Sequence, residues 1–445
     1  MDIKELYNFY QSHPVVTTDS RQCPSGSIFI ALKGESFDGN RFAEAALEQG
    51  CSLAVVDDEQ VYNEYVSRTA SGECRMAFVA DTLQTFKDLA REHRRRFDIP
   101  VIGITGTNGK TTTKELIRSV LAERYRVMAT EGNYNNDVGV PKTLLHLTAE
   151  HEIAVVEMGA SHPGDIKTLV ETAEPTCGII TNVGRAHLLG FGSFEGVIRT
   201  KGELYDFLAG REGSLIFVNA DNEHLAGILP AGVATERYSS HGAEGCRVTG
   251  EVIDTSGELR LRWRTASSDT WHEVGTHLIG AYNLDNALAA VTIGLHFGVT
   301  AEQICHALEN YRPSNNRSQL IDTGRNRLIV DAYNANPTSM EAALANFAQM
   351  PAEHKMVILG QMGELAEVSC EEHEHLVARL QEIGVEQAWL VGDEFAPIAC
   401  PYRKFGDVEE VKAALSSAMP EGFTILIKGS NSNRLFTLVD TFKAQ

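Results

Sequence analysis

The sequence lacks the features of a membrane-spanning or exported protein. No stretch approaches the roughly 18 consecutive apolar residues that a transmembrane helix needs. The first residues, Met1–Leu6, do not have the basic-then-apolar order of a signal peptide. None of the eight cysteines belongs to a Cys-x-x-Cys pair, so the sequence supports neither a zinc site nor a disulfide framework. We therefore expect a cytoplasmic protein with no membrane span.

Positive charge is also scarce in this chain. Its 39 Lys and Arg residues stand against 60 Asp and Glu residues, which gives a formal net charge of −21. A chain this acidic is not expected to have nucleic acid as a main partner. The sequence has no internal repeat and no low-complexity tract. The chain has 445 residues, 43% of them hydrophobic, which is too long for a single ordinary hydrophobic core. This length predicts two or three domains.

Strand-like and helix-like segments alternate along the chain, which predicts an α/β protein. Residues 1–100 form a first small α/β unit in this interpretation. Residues 101–312 form a central unit in which buried runs such as Ile153–Glu157 indicate a doubly wound, mainly parallel sheet. Residues 313–445 form a third unit, which opens with a hairpin and then resumes the βα pattern.

A glycine-rich segment between a strand and a helix predicts a phosphate-binding loop, or P-loop. The glycines allow close backbone approach, the helix N-terminus adds partial positive charge, and Lys110 adds a full one. The Thr111 hydroxyl is suited to Mg²⁺. The spacing is not the strict one, because Ile104 stands where the usual pattern has its first glycine. The predicted phosphate-binding residues are Gly106, Thr107, Asn108, Gly109, Lys110, Thr111 and Thr112.

Three further side chains in the central unit are candidates for chemistry. Glu157 ends a buried strand and could hold Mg²⁺, or it could simply cap a helix. His187 could contact metal or phosphate, or it could be a packed structural histidine. Lys201 could be a buried, functional lysine of an amphipathic helix, or a surface lysine that pairs with Glu203 or Asp206.

The third unit has its candidate residues at a strand–helix junction. Asp331 ends a strand, where it could accept hydrogen bonds from ribose hydroxyls. Tyr333 offers a flat face, and Asn336 could cap a helix that begins at Pro337. Arg317 could bring a cation onto the phosphates, or it could be a solvated loop residue.

Taken together, these segments resemble the Mur ligase family, the ATP-dependent amide-forming enzymes of peptidoglycan synthesis. The similarity covers nearly the whole chain and keeps the same order of motifs. The motifs are GTNGKTTT (106–113), EMG (157–159), TNVGRAH (181–187), a helix with Lys201, GAYNLDNALAA (280–290) and DAYNANP (331–337). Within the family, TDSR (18–21), GSIFIALKG (26–34), FDG (37–39) and EGNYNNDVGVP (131–141) are most similar to the members that add D-alanyl-D-alanine.

The resemblance implies a fold of three α/β domains. The first holds the UDP end of the substrate, the second binds ATP, and the third is Rossmann-like and closes over the site. It implies that Lys110 and Thr111 serve phosphates and Mg²⁺, that Glu157 and His187 serve Mg²⁺, and that two ions bind. It further implies that Lys201 is carbamylated and serves as a metal ligand. The nucleotide contacts that it implies are Asn283 and Asn286 near adenine, Arg317 at the phosphates and Asp331 at the ribose. The residues that it implies for substrate binding are Ser20, Arg21, Lys33, Gly34, Asp38, Asn133, Asn136, Tyr333 and Asn336.

Three positions depart from the family pattern. Tyr282 and Asn40 stand where relatives often have histidine, and the segment Lys428–Arg434 differs from the usual Gly-Ser-Arg version. The last departure bears on the dipeptide contacts of the third domain.

The reaction implied by the resemblance joins D-alanyl-D-alanine to a UDP-linked muramoyl tripeptide through an acyl phosphate. Lys110, Lys201, His187 and Arg317 are its expected catalytic residues, and we expect the enzyme to act as a monomer. One alternative is a related ligase that adds a single amino acid, or glutamate to folate. Another is a nucleotide-gated switch, although the sequence has no Asn-Lys-x-Asp motif for guanine.

Overall fold

Helices and strands alternate through the computed structural model, which describes residues 1–69, 74–313 and 317–443. The α/β class predicted from the sequence is confirmed. The strands are β1 (Val16–Thr17), β2 (Ile28–Ile30), β3 (Leu53–Val56), β4 (Met76–Phe78), β5 (Val101–Thr105), β6 (Val127–Ala129), β7 (Ile153–Glu157), β8 (Cys177–Ile180), β9 (Leu215–Asn219), β10 (Ala234–Ser239), β11 (Val248–Asp254), β12 (Glu258–Thr265), β13 (His272–Ile279), β14 (Gln319–Asp322), β15 (Arg327–Asp331), β16 (His354–Gly360), β17 (Gln387–Val391), β18 (Arg403–Phe405) and β19 (Phe423–Lys428). The α-helices are α1 (Ile3–Ser12), α2 (Ala43–Glu48), α3 (Glu59–Arg68), α4 (Thr82–Arg94), α5 (Lys110–Ala122), α6 (Gly139–Leu144), α7 (Asp165–Ala173), α8 (Leu188–Phe191), α9 (Phe194–Ala209), α10 (Glu223–Gly227), α11 (Asn283–His296), α12 (Ala301–Asn310), α13 (Pro337–Gln349), α14 (Ser369–Glu382), α15 (Val408–Ser417) and α16 (Leu438–Lys443).

The chain divides into two compact units. The first contains Met1–Gly103, Arg126–Met158 and Lys167–Thr176. The second contains Ile104–Tyr125, Gly159–Ile166 and Cys177–Gln445.

The first unit contains a parallel sheet with the strand order β1-β2-β3-β4. Every residue of β3 is buried, which explains why this strand reads as a continuous apolar run instead of an alternating one. Because parallel strands end at a common edge, the loops after β2 and β3 come together there. These loops contain Lys33 and Asp57. In the same unit, β6 pairs in parallel with β7, which ends at Glu157.

In the second unit, β8, β9, β10 and β11 are parallel neighbours, and β12 and β13 continue the sheet in antiparallel pairing. β8 ends at Ile180. Beyond it, the backbone N–H of Thr181 still donates to the carbonyl of Thr105, 2.9 Å away. The chain after β8 therefore stays beside the start of the glycine-rich loop.

The last sheet of the second unit has the order β14-β15-β19-β16-β17-β18. Only β14 is antiparallel, and it forms the predicted hairpin with β15. Leu328 and Val330 pack into one core and Ile329 into another, so the sheet is covered on both faces. The neighbouring parallel strands β15 and β19 end at Asp331 and Lys428, which are register partners.

Candidate active site

Two glycines shape the predicted phosphate-binding loop at the start of α5. Gly106 has φ +146°, and a Cβ built on it would lie 2.0 Å from Thr181 Oγ1. Gly109, at the N-cap of α5, has φ +78°, and a Cβ there would lie 2.6 Å from Asn286 Oδ1. Any other residue would be both strained and in collision at these positions. The helix that follows directs its N-terminus at the loop, as an anion site requires.

The segment after β8 holds this loop through hydrogen bonds to both its backbone and its side chains. The Asn108 N–H donates to Asn182 Oδ1 (2.9 Å), and Asn182 Nδ2 donates back to the Asn108 carbonyl (3.0 Å). The Thr107 N–H donates to the Asn182 carbonyl (3.0 Å), and the Gly184 N–H donates to Thr107 Oγ1 (3.0 Å). These hydrogen bonds tie the loop to the segment after β8 at several points.

Lys110 folds its side chain over the loop. Its ammonium donates to the carbonyl oxygens of Gly106 (2.8 Å) and Thr107 (3.0 Å). Thr111 and Thr112 follow in the first turn of α5, where Thr111 is buried. The arrangement puts a full positive charge beside the partial charge of a helix N-terminus, which suits a polyphosphate.

Asn283 and Asn286 lie behind the loop at the start of α11. Asn286 Oδ1 accepts from Thr113 Oγ1 (2.9 Å), and its Nδ2 donates to Asn283 Oδ1 (2.9 Å). Asn283 Nδ2 donates to the carbonyl of Ile279 (2.8 Å). Both side chains are buried, and their contacts support the loop at Gly109. Their predicted proximity to adenine stays a prediction.

Lys201 is buried on α9, with only 2% of its surface exposed. Its ammonium nitrogen lies 3.5 Å from the Ala160 carbonyl and 5.4 Å from the centre of the Phe191 ring. Burial, together with the positive charge of Lys110, lowers the pKa of Lys201 well below its usual value. A lysine in this environment is driven toward the neutral amine.

The alternative interpretation of Lys201 as a surface lysine is wrong, since the side chain is buried. Glu203, one of the two partners considered for it, accepts a hydrogen bond from the Gly164 N–H at 2.9 Å. The helical pattern alone does not reveal that this face of α9 is covered.

His187 has a left-handed backbone conformation with φ +51°. Its Nδ1 contacts Glu364 Oε2, and the nearby Leu189 N–H donates to the Glu364 carbonyl (3.4 Å). Burial lowers the pKa of His187, and the charges of Lys110 and Lys201 act in the same direction, against the opposing effect of Glu364. The Nδ1 contact leaves Nε2 as the nitrogen available for a metal ion or phosphate.

Glu157 lies in the first unit at the end of β7, where only 1% of its surface is exposed. Its Oε1 accepts from Asn135 Nδ2 at 2.8 Å. The predicted substrate residues flank this contact, since the Asn133 carbonyl accepts from the Asn135 N–H (2.7 Å) and Asn136 Oδ1 accepts from the Gly139 N–H (2.8 Å). A buried carboxylate with an amide partner is suited to a hard cation.

The third group of candidates surrounds the junction of β15 and α13. The Arg317 guanidinium lies 3.8 Å from the centre of the Tyr333 ring. Asn336 caps α13, as predicted, through a hydrogen bond from the Ser339 N–H to its Oδ1 (2.9 Å). Its Nδ2 also donates to Asn108 Oδ1 in the phosphate loop (2.8 Å). The junction thus contacts the loop directly, a contact that the motif itself does not reveal.

The first-unit candidates form two local clusters. Arg21 makes a two-pronged contact with Asp19 (2.9 and 2.8 Å), and these hydrogen bonds lower the pKa of Asp19 to about 2. The adjacent Ser20 carbonyl accepts from Gln49 Nε2 at 3.0 Å. Arg21 itself is exposed, so its guanidinium is accessible to a ligand.

The second cluster centres on a carboxylate at the end of β3. Lys33 Nζ and Asn40 Nδ2 both lie 2.8 Å from Asp57 Oδ1. Asn40 Nδ2 also donates to Asp38 Oδ1 at 2.8 Å. Gly34 lies in the same loop, where a Cβ would lie 2.3 Å from the ring of a neighbouring phenylalanine. Asn40, which stands where relatives often have histidine, thus joins Asp38 to Asp57, the partner of Lys33.

Three protein-family models match successive segments of the chain, from near its start to near its end. Residues 14–88 match the Mur ligase family catalytic domain, residues 104–294 the Mur ligase middle domain, and residues 316–431 the Mur ligase glutamate ligase domain. The chain is also 33% identical to the UDP-N-acetylmuramoyl-tripeptide–D-alanyl-D-alanine ligase of Escherichia coli K12, with 94% of this chain and 91% of the relative covered.

The chain belongs to the Mur ligase family.

Solved structures agree with this assignment. A crystal structure of MurF from Acinetobacter baumannii superposes with a TM-score of 0.85 at 31% identity and covers 97% of this chain and 93% of its own. The MurF ligase of Thermotoga maritima in complex with ADP has a TM-score of 0.84 at 26% identity, with 97% of each chain covered. This Mur ligase is therefore an ATP-dependent enzyme that forms C–N bonds, and the three-domain family architecture is confirmed. Among the described residues, no helix is both long and apolar enough to cross a membrane.

Among the residues that contact predicted site residues without having been predicted themselves, two form ion pairs at strand ends. Asp57 binds Lys33 at 2.8 Å, and Lys428 Nζ binds Asp331 Oδ2 at 2.6 Å. Each is a charged residue at or just beyond the end of a buried parallel strand. That position is the signal in the sequence that could have pointed to them.

Proposed function

We propose that this Mur ligase joins D-alanyl-D-alanine to UDP-N-acetylmuramoyl-tripeptide and converts ATP to ADP and phosphate. The reaction belongs to the synthesis of peptidoglycan precursors, and thus to cell-wall formation in growth and division. The named substrates of the Escherichia coli relative support this choice. The observation that carries it is the hydrogen-bonded glycine loop with Lys110, which contacts the 182–184 segment on one side and Asn336 on the other.

The proposed ligation has two steps, formation of an acyl phosphate and its reaction with an amine. A carboxylate oxygen of the tripeptide attacks the γ-phosphorus, the bond to the bridging oxygen breaks, and ADP leaves with that oxygen. The amine of D-alanyl-D-alanine then attacks the acyl carbon, loses a proton, and expels phosphate. Lys110 and Arg317 are positioned in this proposal to bind phosphate oxygens and hold them in line. Closure around the acyl phosphate would exclude the water that hydrolyses it.

The residues predicted to hold magnesium fit that ion in chemical type. Thr111 offers a hydroxyl oxygen and Glu157 a buried carboxylate, which are hard donors, and His187 is a softer third candidate. Within the described residues, no three His, Cys, Asp or Glu side chains cluster as metal ligands. We propose that two magnesium ions would take most of their remaining ligands from phosphate and water. Bound magnesium would neutralise negative charge on the phosphates.

We also propose that Lys201 carries a carbamate. A neutral amine is the form that reacts with CO₂, and burial together with the charge of Lys110 favours that form. The product would be a carboxylate-like group on a rigid helix. Lys201→Ala should lower kcat by about 100-fold or more, as loss of a charge-stabilising group does, and added acetate or formate should partly restore it.

Intact mass measured in CO₂-saturated buffer should show one added CO₂, which Lys201→Ala lacks. Lys412→Met, a lysine substitution on α15, provides the control and should retain both mass shift and activity. Undiminished activity in Lys201→Ala would rule out the carbamate.

We propose domains at residues 1–100, 101–312 and 313–445, close to the three matched family segments. We propose a cytoplasmic monomer. The eight cysteines are all free, which fits a reducing compartment, and light scattering would test the monomer.

The reaction is tested by phosphate release from MgATP with the UDP-linked tripeptide, with and without D-alanyl-D-alanine. We expect release to require both substrates and to be accompanied by the mass gain of a dipeptide. Lys110→Met should abolish it, and Lys412→Met should not. Release with a single amino acid would retain the family and change the acceptor. Nucleotide binding without acceptor-dependent release would instead support a switch.

A further inference from the structure

Lys428 forms an ion pair with Asp331 at the end of the last sheet. β15 and β19 are adjacent parallel strands, and the two residues are register partners at their final positions. The Lys428 ammonium lies 2.6 Å from Asp331 Oδ2 and 3.3 Å from the Asn334 carbonyl. The pair therefore depends on strand order, since 97 residues of sequence separate its members.

The two members of this pair differ in exposure. The Lys428 side chain is 2% exposed, whereas the Asp331 side chain is 19% exposed. A ligand at the strand ends could reach the carboxylate but not the ammonium. In the part of the chain that the structure describes, Oδ1 of Asp331 receives no hydrogen bond from protein. One oxygen is thus held by lysine, and the other is left for a ligand donor.

The chain after β19 holds the chain after β15 at a second point. The Asn431 N–H donates to the Tyr333 carbonyl at 2.9 Å. Together with the contact from Lys428 to Asn334, it fixes the backbone on both sides of the Tyr333 ring. Arg317 stacks on that ring. The Lys428 segment therefore sets the position of two predicted nucleotide contacts, Asp331 and Arg317.

We propose that Lys428 is a positioning residue for recognition of the ATP ribose. It holds Asp331 in a fixed orientation through Oδ2, so that Oδ1 accepts hydrogen bonds from ribose hydroxyls while Lys428 itself touches no substrate. This inference rests on the proposed function, and specifically on the ribose contact predicted for Asp331. Lys428 thus affects the preference for a ribose nucleotide only through the position of the Asp331 carboxylate.

The test compares ATP with 2′-deoxy-ATP and 3′-deoxy-ATP in the wild type, Asp331→Asn, Lys428→Gln and the double variant. A hydrogen bond to a charged acceptor predicts that the wild type prefers ATP in kcat/KM by about 10-fold or more over one analogue. Lys428→Gln should bring the ratio of kcat/KM for ATP to kcat/KM for that analogue closer to one. We expect the change to come from a higher KM for ATP, with little change in kcat. Lys412→Met, which removes a lysine that pairs with Glu409 on α15, should retain it.

The double variant keeps the test decisive if Lys428→Gln alone does not fold, because it leaves no unpaired buried charge. If Lys428 acts only through Asp331, adding Lys428→Gln to Asp331→Asn should change neither KM nor the ribose preference. A further loss in the double variant would indicate direct contact with ATP and overturn the proposal. So would a wild-type ribose preference in folded Lys428→Gln.

Failure of the proposed function would be recognised separately. If the wild type shows no acceptor-dependent phosphate release, the same ribose preference is measured as nucleotide binding by calorimetry. If ligation occurs but Asp331→Asn retains the wild-type preference, the ribose contact fails and the role of Lys428 is overturned, while the ligase assignment stands.

Discussion

At the scale of single residues, the phosphate loop depends on positions where a side chain has no room. Gly106 combines φ +146° with a neighbour 2.0 Å from its absent Cβ. The neighbour is Thr181, whose hydroxyl donates to the Asn108 carbonyl and so belongs to the contacts that hold the loop. A methyl group at position 106 would therefore disturb both the backbone and these contacts.

We predict that Gly106→Ala lowers kcat/KM for ATP by about 100-fold, because a 1 Å displacement of a positioning group can have this effect. It should also destabilise the fold by about 1–3 kcal/mol through backbone strain. Kinetics and urea unfolding measure the two effects. Gly213→Ala is the matched control, since Gly213 has φ +76° but nothing within 4 Å of its Cβ position. If both variants lost the same activity, collision at the loop would not be the cause.

At the scale of secondary-structure elements, one side chain both starts a helix and joins it to the loop. Asn336 caps α13 through Oδ1, and its Nδ2 reaches Asn108. Serine is also a good N-cap, but its side chain is too short to bridge to Asn108. The two roles can therefore be separated by substitution.

We predict that Asn336→Ser retains the stability of the wild type and raises the KM for ATP several-fold. Asn336→Ala should raise KM similarly and also lose about 1 kcal/mol of stability, the typical contribution of a cap. Urea unfolding and initial rates measured on the same preparations distinguish the variants. An unchanged KM in both would show that the contact with Asn108 does not support nucleotide binding.

The packing of α1 against α4 in the first unit includes a buried histidine. His93 lies in α4, with Nδ1 3.2 Å from the Tyr7 hydroxyl of α1 and Nε2 2.9 Å from the Leu147 carbonyl. Burial lowers the pKa of His93, although the contact with Leu147 opposes the shift. The unfolded chain therefore binds a proton at this residue at a higher pH than the folded chain does.

We predict that stability declines as the pH falls through about 6.5, the usual histidine value, toward the lower folded-state pKa. Above that window the contribution of neutral His93 is fully present. Urea midpoints at pH 7.5 and 5.5 should differ more for the wild type than for His93→Gln. His375→Gln, at an exposed position of α14, should behave like the wild type. Equal pH dependence in all three would exclude His93 as the origin.

At the scale of the whole molecule, the proposed nucleotide contacts all lie in the second compact unit. Binding there should stabilise the folded chain by mass action. We predict about 2.7 kcal/mol of added stability at a MgATP concentration 100 times the dissociation constant. Calorimetric unfolding measures this gain, and removal of magnesium with EDTA should reduce it.

Gly106→Ala should lose most of the stabilisation by MgATP, whereas Gly213→Ala should retain it. Equal stabilisation of all variants at matched nucleotide concentration would place the nucleotide elsewhere in the chain. The measurement does not require turnover, so it tests the site independently of the acceptor.

Local sequence determined the elements of this fold. β7 has the predicted bounds, β14 and β15 form the predicted hairpin, and Asn336 with Pro337 correctly marks the start of α13. These features depend on neighbouring residues, because side-chain periodicity, capping and turn chemistry act over a few positions. The Mur ligase resemblance is confirmed for the same reason, since its motifs are short and contiguous.

Only the tertiary structure decided which residues meet across the chain. Lys201 could be a surface or a buried lysine until the packing of α9 was known. Asn108 and Asn336 are 228 residues apart, and Asp331 and Lys428 are 97 apart. Their contacts depend on strand order and on which loops share a sheet edge. Periodicity carries no information about either, because it reports which face of an element is apolar and not what covers it.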